Sequence, residues 1–138
     1  MIRLLVADDY PEMMDAIRRL CATYEDVELV GEASHFQELE EVLLNGSPDV
    51  VLMDDYLAPF DSVKAARKLR EMGVTTPLLV MSMHDDADLI QASLDAGANG
   101  FIVKGGLLEE LSPALWTVHQ GGRYLCKQAN AALAQVKR

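Results

Sequence analysis

Five short aliphatic runs, at Ile2 to Ala7, Val27 to Ala33, Val50 to Met53, Leu78 to Met81 and Gly100 to Val103, set the tightest limit on how this chain folds. Runs this short and this apolar predict strands buried on both faces, and such strands need a covering layer on each side. The segments between them supply it. Apolar residues recur at helical spacing at Met13, Ile17 and Leu20, at Phe36, Leu39, Val42 and Leu43, and at Val63, Ala66 and Leu69. The same spacing returns at Leu89, Ile90 and Leu94 and at Leu108, Leu111, Leu115 and Val118. Strand and helix alternate five times, which predicts an α/β fold with a doubly wound, five-stranded parallel sheet and helices on both faces. Binding chemistry in such a sheet gathers beyond the carboxyl ends of the strands.

Punctuation agrees with these boundaries. Pro11 suits a first helical turn, and Ser34 followed by Gln37 has the pattern of a capping box. Asn45-Gly46, Gly73 and Gly97 stand where helices should stop, as residues that tolerate a left-handed backbone. Gly31 is the one breaker inside an expected strand. At 138 residues there is room for one core, with 50% hydrophobic and only 6% aromatic residues to build it. A weakly helical run from Gln128 to Val136 follows the last expected helix, so residues 126–138 read as a helical extension or the start of a linker.

Charge and cysteine content exclude several function classes. With 22 Asp and Glu against 12 Lys and Arg the net charge is -10, a field that repels polyanions, so direct nucleic-acid binding by this domain is not expected. All the acids lie at or before Glu110; residues 111–138 carry only Arg123, Lys127, Lys137 and Arg138, which read as a solvated basic tail. Cys21 and Cys126 stand far apart with no CxxC or Cys/His cluster and are expected as reduced thiols. The apolar start of the chain is too short for a secretory signal, and no stretch approaches the roughly 18 apolar residues of a membrane span. A cytoplasmic protein without membrane contact is therefore expected.

Ionisable or hydroxyl side chains follow four of the five runs: Asp8 and Asp9, Asp54 and Asp55, Ser82, and Lys104. Gathered at one rim, these carboxylates would repel one another unless a cation neutralised them, and oxygen-only ligands favour Mg²⁺. A carboxylate on a divalent ion, an ammonium group and a hydroxyl donor make a set suited to phosphoryl transfer, with one carboxylate attacking in line to give an acyl phosphate. Each residue taken alone has a plainer role: Asp8 or Asp9 could cap the helix near Pro11, Ser82 could cap the helix near Asp85, and Lys104 could sit on the surface. Their joint placement at strand ends favours the chemical role.

The segments LLVADDYP (residues 4–11), PDVVLMD (48–54), PLLVMSMHD (77–85) and AGANGFIVKGG (96–106), in this order, resemble the receiver domain of two-component response regulators over Ile2 to Leu125. The resemblance implies a flavodoxin-like strand order 2-1-3-4-5 and a receiver spanning residues 1–125. It also implies that Asp9 and Asp54 hold Mg²⁺ directly, Asp8 through water, and the backbone carbonyl of Tyr56 as a further ligand. Asp54 would be the nucleophile and phosphorylation site, Ser82 and Lys104 would bind the phosphoryl group, and Phe101 would be the aromatic that turns inward in the active state. A sensor histidine kinase would be the phosphodonor. The MSMHD and VKGG segments look most like receivers that precede a LuxR-type helix-turn-helix domain, which makes transcriptional regulation the expected output and homodimerisation common among the relatives.

The loop after the third strand departs from that pattern. Asp54 is preferred over Asp55 because Ser82 follows it by 28 residues and Lys104 by a further 22, and because alternation along a strand aims only one of two neighbours into the crevice. Yet Asp55 stands where the family has an apolar residue, Ser62 where it has glycine, and Pro59 lies one place late. Tyr56 and His84 occupy positions that tune acyl-phosphate lifetime by the same resemblance, whereas His35 and His119 read as surface residues. Two other functions stay open: a degenerate receiver that binds partners without phosphorylation, and a Mg²⁺-dependent phosphohydrolase. The second usually needs another acid two residues after the nucleophile, where this chain has Tyr56.

Overall fold

A computed structural model describes residues 1–136; Lys137 and Arg138 of the basic tail lie outside the described residues. Its centre is a parallel sheet of β1 (Ile2–Ala7), β2 (Val27–Ala33), β3 (Val50–Asp54), β6 (Leu78–Ser82) and β7 (Gly100–Val103), in the order β2-β1-β3-β6-β7. This is the doubly wound arrangement expected. Every residue of β3, β6 and β7 is buried, as central strands covered on both faces require.

The strand count differs from the expected one. A short sixth strand, β8 (Tyr124–Leu125), adds in parallel to β7, with Tyr124 opposite Gly100 and Leu125 opposite Phe101. Two residues between Gly122 and Cys126 carry no legible period, so only the open edge of β7 decides that they pair. A separate two-stranded hairpin, β4 (Tyr56–Leu57) with β5 (Phe60–Asp61), rises from the loop after β3 and turns through a cis Ala58-Pro59 peptide.

Five helices connect the strands: α1 (Pro11–Ala22), α2 (Phe36–Asn45), α3 (Ser62–Glu71), α4 (Ala87–Asp95) and α5 (Leu107–His119). Helices α1 and α5 lie side by side over an apolar cleft lined by Met13, Ile17, Leu20, Leu107 and Leu108. On α5 the buried stripe is Leu107, Leu111, Ala114, Leu115 and Val118, so Leu108, expected in the core, is exposed instead. On α1 the buried side chains are Met14, Ile17 and Cys21, one position on from Met13 and Leu20. A sixth helix, α6 (Lys127–Val136), packs back against α4 and β7 rather than extending away. Buried Cys126 anchors it, its sulfur 3.4 Å from the backbone nitrogens of both Val103 and Ala129. Among the described residues no helix is long and apolar enough to cross a membrane.

Several local expectations shift by one residue. Helix α2 is capped by His35, whose Nδ1 accepts from the Glu38 amide, while the Glu38 carboxylate turns back to the Ser34 amide; the capping pair is thus 35 and 38, not 34 and 37. His35 therefore has a structural role. Gly73 and Gly97 have φ of 85° and 116°, as helix stops require, but Gly46 is extended at φ -139°. Gly31 marks a register shift between β1 and β2, where Leu4 faces Leu29 and Leu5 faces Gly31, and a Cβ there would come within 3.0 Å of the Leu5 side chain.

Candidate functional site

Register alone brings the chemical residues to one rim. Ala7 of β1 stands opposite Met53 of β3, Asp54 opposite Met81 of β6, and Ser82 opposite Val103 of β7. The next residue along β1 is Asp8 and the next along β7 is Lys104, so all four strands deliver their polar groups at the same level. Asp8, Asp9 and Asp54 each place a carboxylate oxygen within 4.8 Å of the others.

Lys104 is not a surface lysine. Its side chain is only 10% exposed, and its Nζ lies 2.9 Å from Asp54 Oδ1 and 3.5 Å from Asp8 Oδ2. Burial works against the ammonium charge, but Asp54 and Asp8 outweigh it and hold the lysine pKa above its ordinary value. The Asp54 pKa is also raised: burial penalises its charge first, and Asp8 and Asp55 add repulsion that Lys104 only partly offsets. Both shifts are upward, favouring the charged lysine and the protonated carboxyl group, because one ammonium group faces several carboxylates.

Asp8 is fully buried at its side chain and accepts a hydrogen bond from the Tyr10 amide at 2.8 Å, so it does organise the entry to α1 while facing Lys104. Asp9 is exposed at the mouth. The buried Asp54 Oδ1 has the Lys104 ammonium at 2.9 Å as its ion-pair partner. Three carboxylates with oxygens within 4.8 Å of one another, facing a single ammonium group, fit a hard divalent cation with oxygen ligands, as Mg²⁺ is. Tyr56, whose carbonyl was expected to contribute, lies in β4 with its side chain exposed.

Ser82 is completely buried at the end of β6. It caps no helix: Asp86 caps α4, accepting from the Asp88 amide at 2.9 Å. Its hydroxyl instead donates to Asp55 Oδ2 at 2.6 Å and accepts from the backbone nitrogen of exposed His84 at 3.0 Å. Alternation along a strand predicts that Asp55 points away from the side on which Asp54 enters the crevice. Alternation stops applying where β3 ends at Asp54, and a bend at Asp55 returns its carboxylate to the same rim. Only the acidic doublet and the displaced proline hinted at this. Asp61 caps α3 from outside the rim, accepting from the Lys64 amide at 2.8 Å, and Ser62 hydrogen-bonds buried Ser93 at 3.2 Å. Phe101 is wholly buried in β7 between Val80 and Leu125.

Fold and rim together define a small doubly wound α/β domain with an acidic cluster and a buried lysine at its switch-point end. The chain belongs to the response regulator receiver domain family, whose sequence pattern matches residues 4–115. It is 31% identical over 134 residues to the response regulator GacA of Pseudomonas aeruginosa, covering 97% of this chain and 63% of GacA. To the transcriptional regulatory protein DegU of Brevibacillus brevis it is 29% identical over 124 residues, covering 90% of this chain and 52% of DegU. The crystal structure of a LuxR-family two-component response regulator from Aurantimonas sp. SI85-9A1 matches with a TM-score of 0.93 at 25% identity, over 99% of this chain and 98% of that one. The chain thus spans from about half to nearly two thirds of the length of these curated relatives. Its relatives are two-component signalling proteins rather than conventional enzymes.

Proposed function

We propose that this chain is a phosphate-accepting switch in which Asp54 is the nucleophile. The observation that carries this is the buried Asp54 carboxylate, flanked by Asp8 and Asp9 and 2.9 Å from Lys104 Nζ. In the proposed reaction an Asp54 carboxylate oxygen forms a bond to the phosphorus of a phosphohistidine on a sensor kinase. The P–N bond breaks, and the imidazole nitrogen leaves with the electron pair. Asp8, Asp9, Asp54 and the Tyr56 carbonyl would hold Mg²⁺. When bound, the ion would neutralise phosphoryl oxygens that otherwise meet an acidic rim. Lys104 and Ser82 bind the transferred group, and Phe101 carries the change toward β8 and α6.

Residues 1–125 form the receiver in this proposal, and α6, packed back on it, would lead toward a linker. The output is transcriptional, through a DNA-binding domain outside this chain, since a charge of -10 opposes direct contact with nucleic acid. The apolar α1–α5 cleft, with Leu108 72% exposed, supports pairing of two copies. A cytoplasmic location follows from the kinase partner.

Intact-protein mass after incubation with acetyl phosphate and Mg²⁺ tests the assignment. One added phosphoryl group is expected in the wild type and none in Asp54→Ala. An unmodified wild type would support a phosphorylation-independent binding module, and steady turnover of phosphate esters would support a phosphohydrolase; either result would overturn the proposal.

A further inference from the structure

We infer that Asp55 is an internal competitor for Ser82, holding the hydroxyl that a phosphoryl group on Asp54 needs and so setting the threshold of the switch. The inference deepens the proposed function and rests on it. A serine hydroxyl has one proton to donate. Here that proton is committed to Asp55 Oδ2 at 2.6 Å, and the oxygen already accepts from the His84 amide. A phosphoryl oxygen can only accept, so Ser82 cannot engage it until the bond to Asp55 is broken.

Two features make the competition effective. Ser82 is 0% exposed, so water does not readily replace Asp55 as a partner, and a hydrogen bond to a carboxylate is stronger than one between neutral groups. The Asp55 backbone is also fixed: its carbonyl accepts from the Ser62 amide at 2.7 Å, and the next residue, Tyr56, pairs with Asp61 in the β4–β5 hairpin. The carboxylate is thereby held beside Ser82. Asp55 acts through Ser82 and through its charge, and so is a positioning residue.

Binding of beryllium fluoride at saturating Mg²⁺, measured by titration calorimetry on the full chain, separates these effects. The non-covalent complex on Asp54 presents acceptor fluorides where phosphoryl oxygens would stand. Asp55→Ala is expected to tighten binding about tenfold, the scale of one charge-assisted hydrogen bond released. In a Ser82→Ala background the same change should tighten binding only about two- to threefold, the share due to charge alone. Asp55→Asn, which keeps the shape of the side chain, should fall between wild type and Asp55→Ala. Equal factors in the two backgrounds, or weaker binding by Asp55→Ala, would overturn the role of Asp55 while leaving Asp54 as acceptor. Absence of binding by the wild type and every variant would overturn the functional proposal itself, and this inference with it.

Discussion

Two cations are partly buried at opposite ends of the same sheet, and they are satisfied in opposite ways. Arg70, near the amino ends of β6 and β7, makes five hydrogen bonds: two to the Gly97 carbonyl, one each to the carbonyls of Val74 and Thr76, and one to Asn99 Oδ1. A guanidinium has five N–H donors, so nothing is left over. Its partners are neutral, burial pulls its pKa down, and the group functions as a rivet between the loops that precede the two strands. Lys104, at the carboxyl ends, is ion-paired to Asp54 and Asp8 with Asp9 beside them, so the carboxylates exceed the one ammonium charge. The contrast separates a closed polar site, which only holds the fold, from an open one that can take another ligand.

The largest loss of stability is expected at the closed end. Arg70→Met should lower unfolding free energy by about 3 kcal/mol, because it strands several buried acceptors at once. Urea unfolding would show this, and added Mg²⁺ should not reduce the difference from wild type. A loss below about 1 kcal/mol would mean that the carbonyls are solvated and Arg70 is no rivet.

At the open end Lys104→Met should cost less, about 2 kcal/mol in the presence of a chelator, since it leaves Asp54 and Asp8 facing each other without a counter-charge. Mg²⁺ should then stabilise Lys104→Met by more than it stabilises the wild type. Equal increments would show that lysine and metal do not share the same carboxylates.

The smallest effect concerns pH. Because the Asp54 pKa is raised in the folded state, its contribution to stability is fully present below its ordinary value of 3.8, where it is protonated, and is lost as pH rises through the folded pKa. Asp54→Asn, a neutral isostere, should therefore melt above the wild type at pH 7 without divalent ions. The gap should close as pH falls toward 4. A gap that widens on acidification would mean that Lys104 outweighs burial at this carboxylate.

Legibility differs between the two ends. Asp8, Asp54, Ser82 and Lys104 could be found from sequence because each directly follows or ends an aliphatic run, and parallel strands bring such positions to one rim. Arg70 carried no signal, as its partners are backbone carbonyls that any sequence provides. The contact of Asp55 with Ser82 was not legible, because strand alternation applies only while the strand lasts and β3 stops one residue before Asp55. Leu108 is exposed although its neighbour Leu107 is buried, since a helix rotates its face by 100° per residue and apolar neighbours make the phase ambiguous; Met13 packs at the edge of the core beside buried Met14.

What the sequence determined by itself was the layered α/β fold, from runs too apolar to face water, and the rim on which the acids meet. Tertiary structure alone decided that β7 has a free edge for Tyr124 and Leu125, that α6 folds back on α4, and that Asp55 accepts the Ser82 hydrogen bond. The division has a physical cause: burial is written in local composition, whereas a hydrogen-bond partner is chosen by distance among residues that are far apart in the chain.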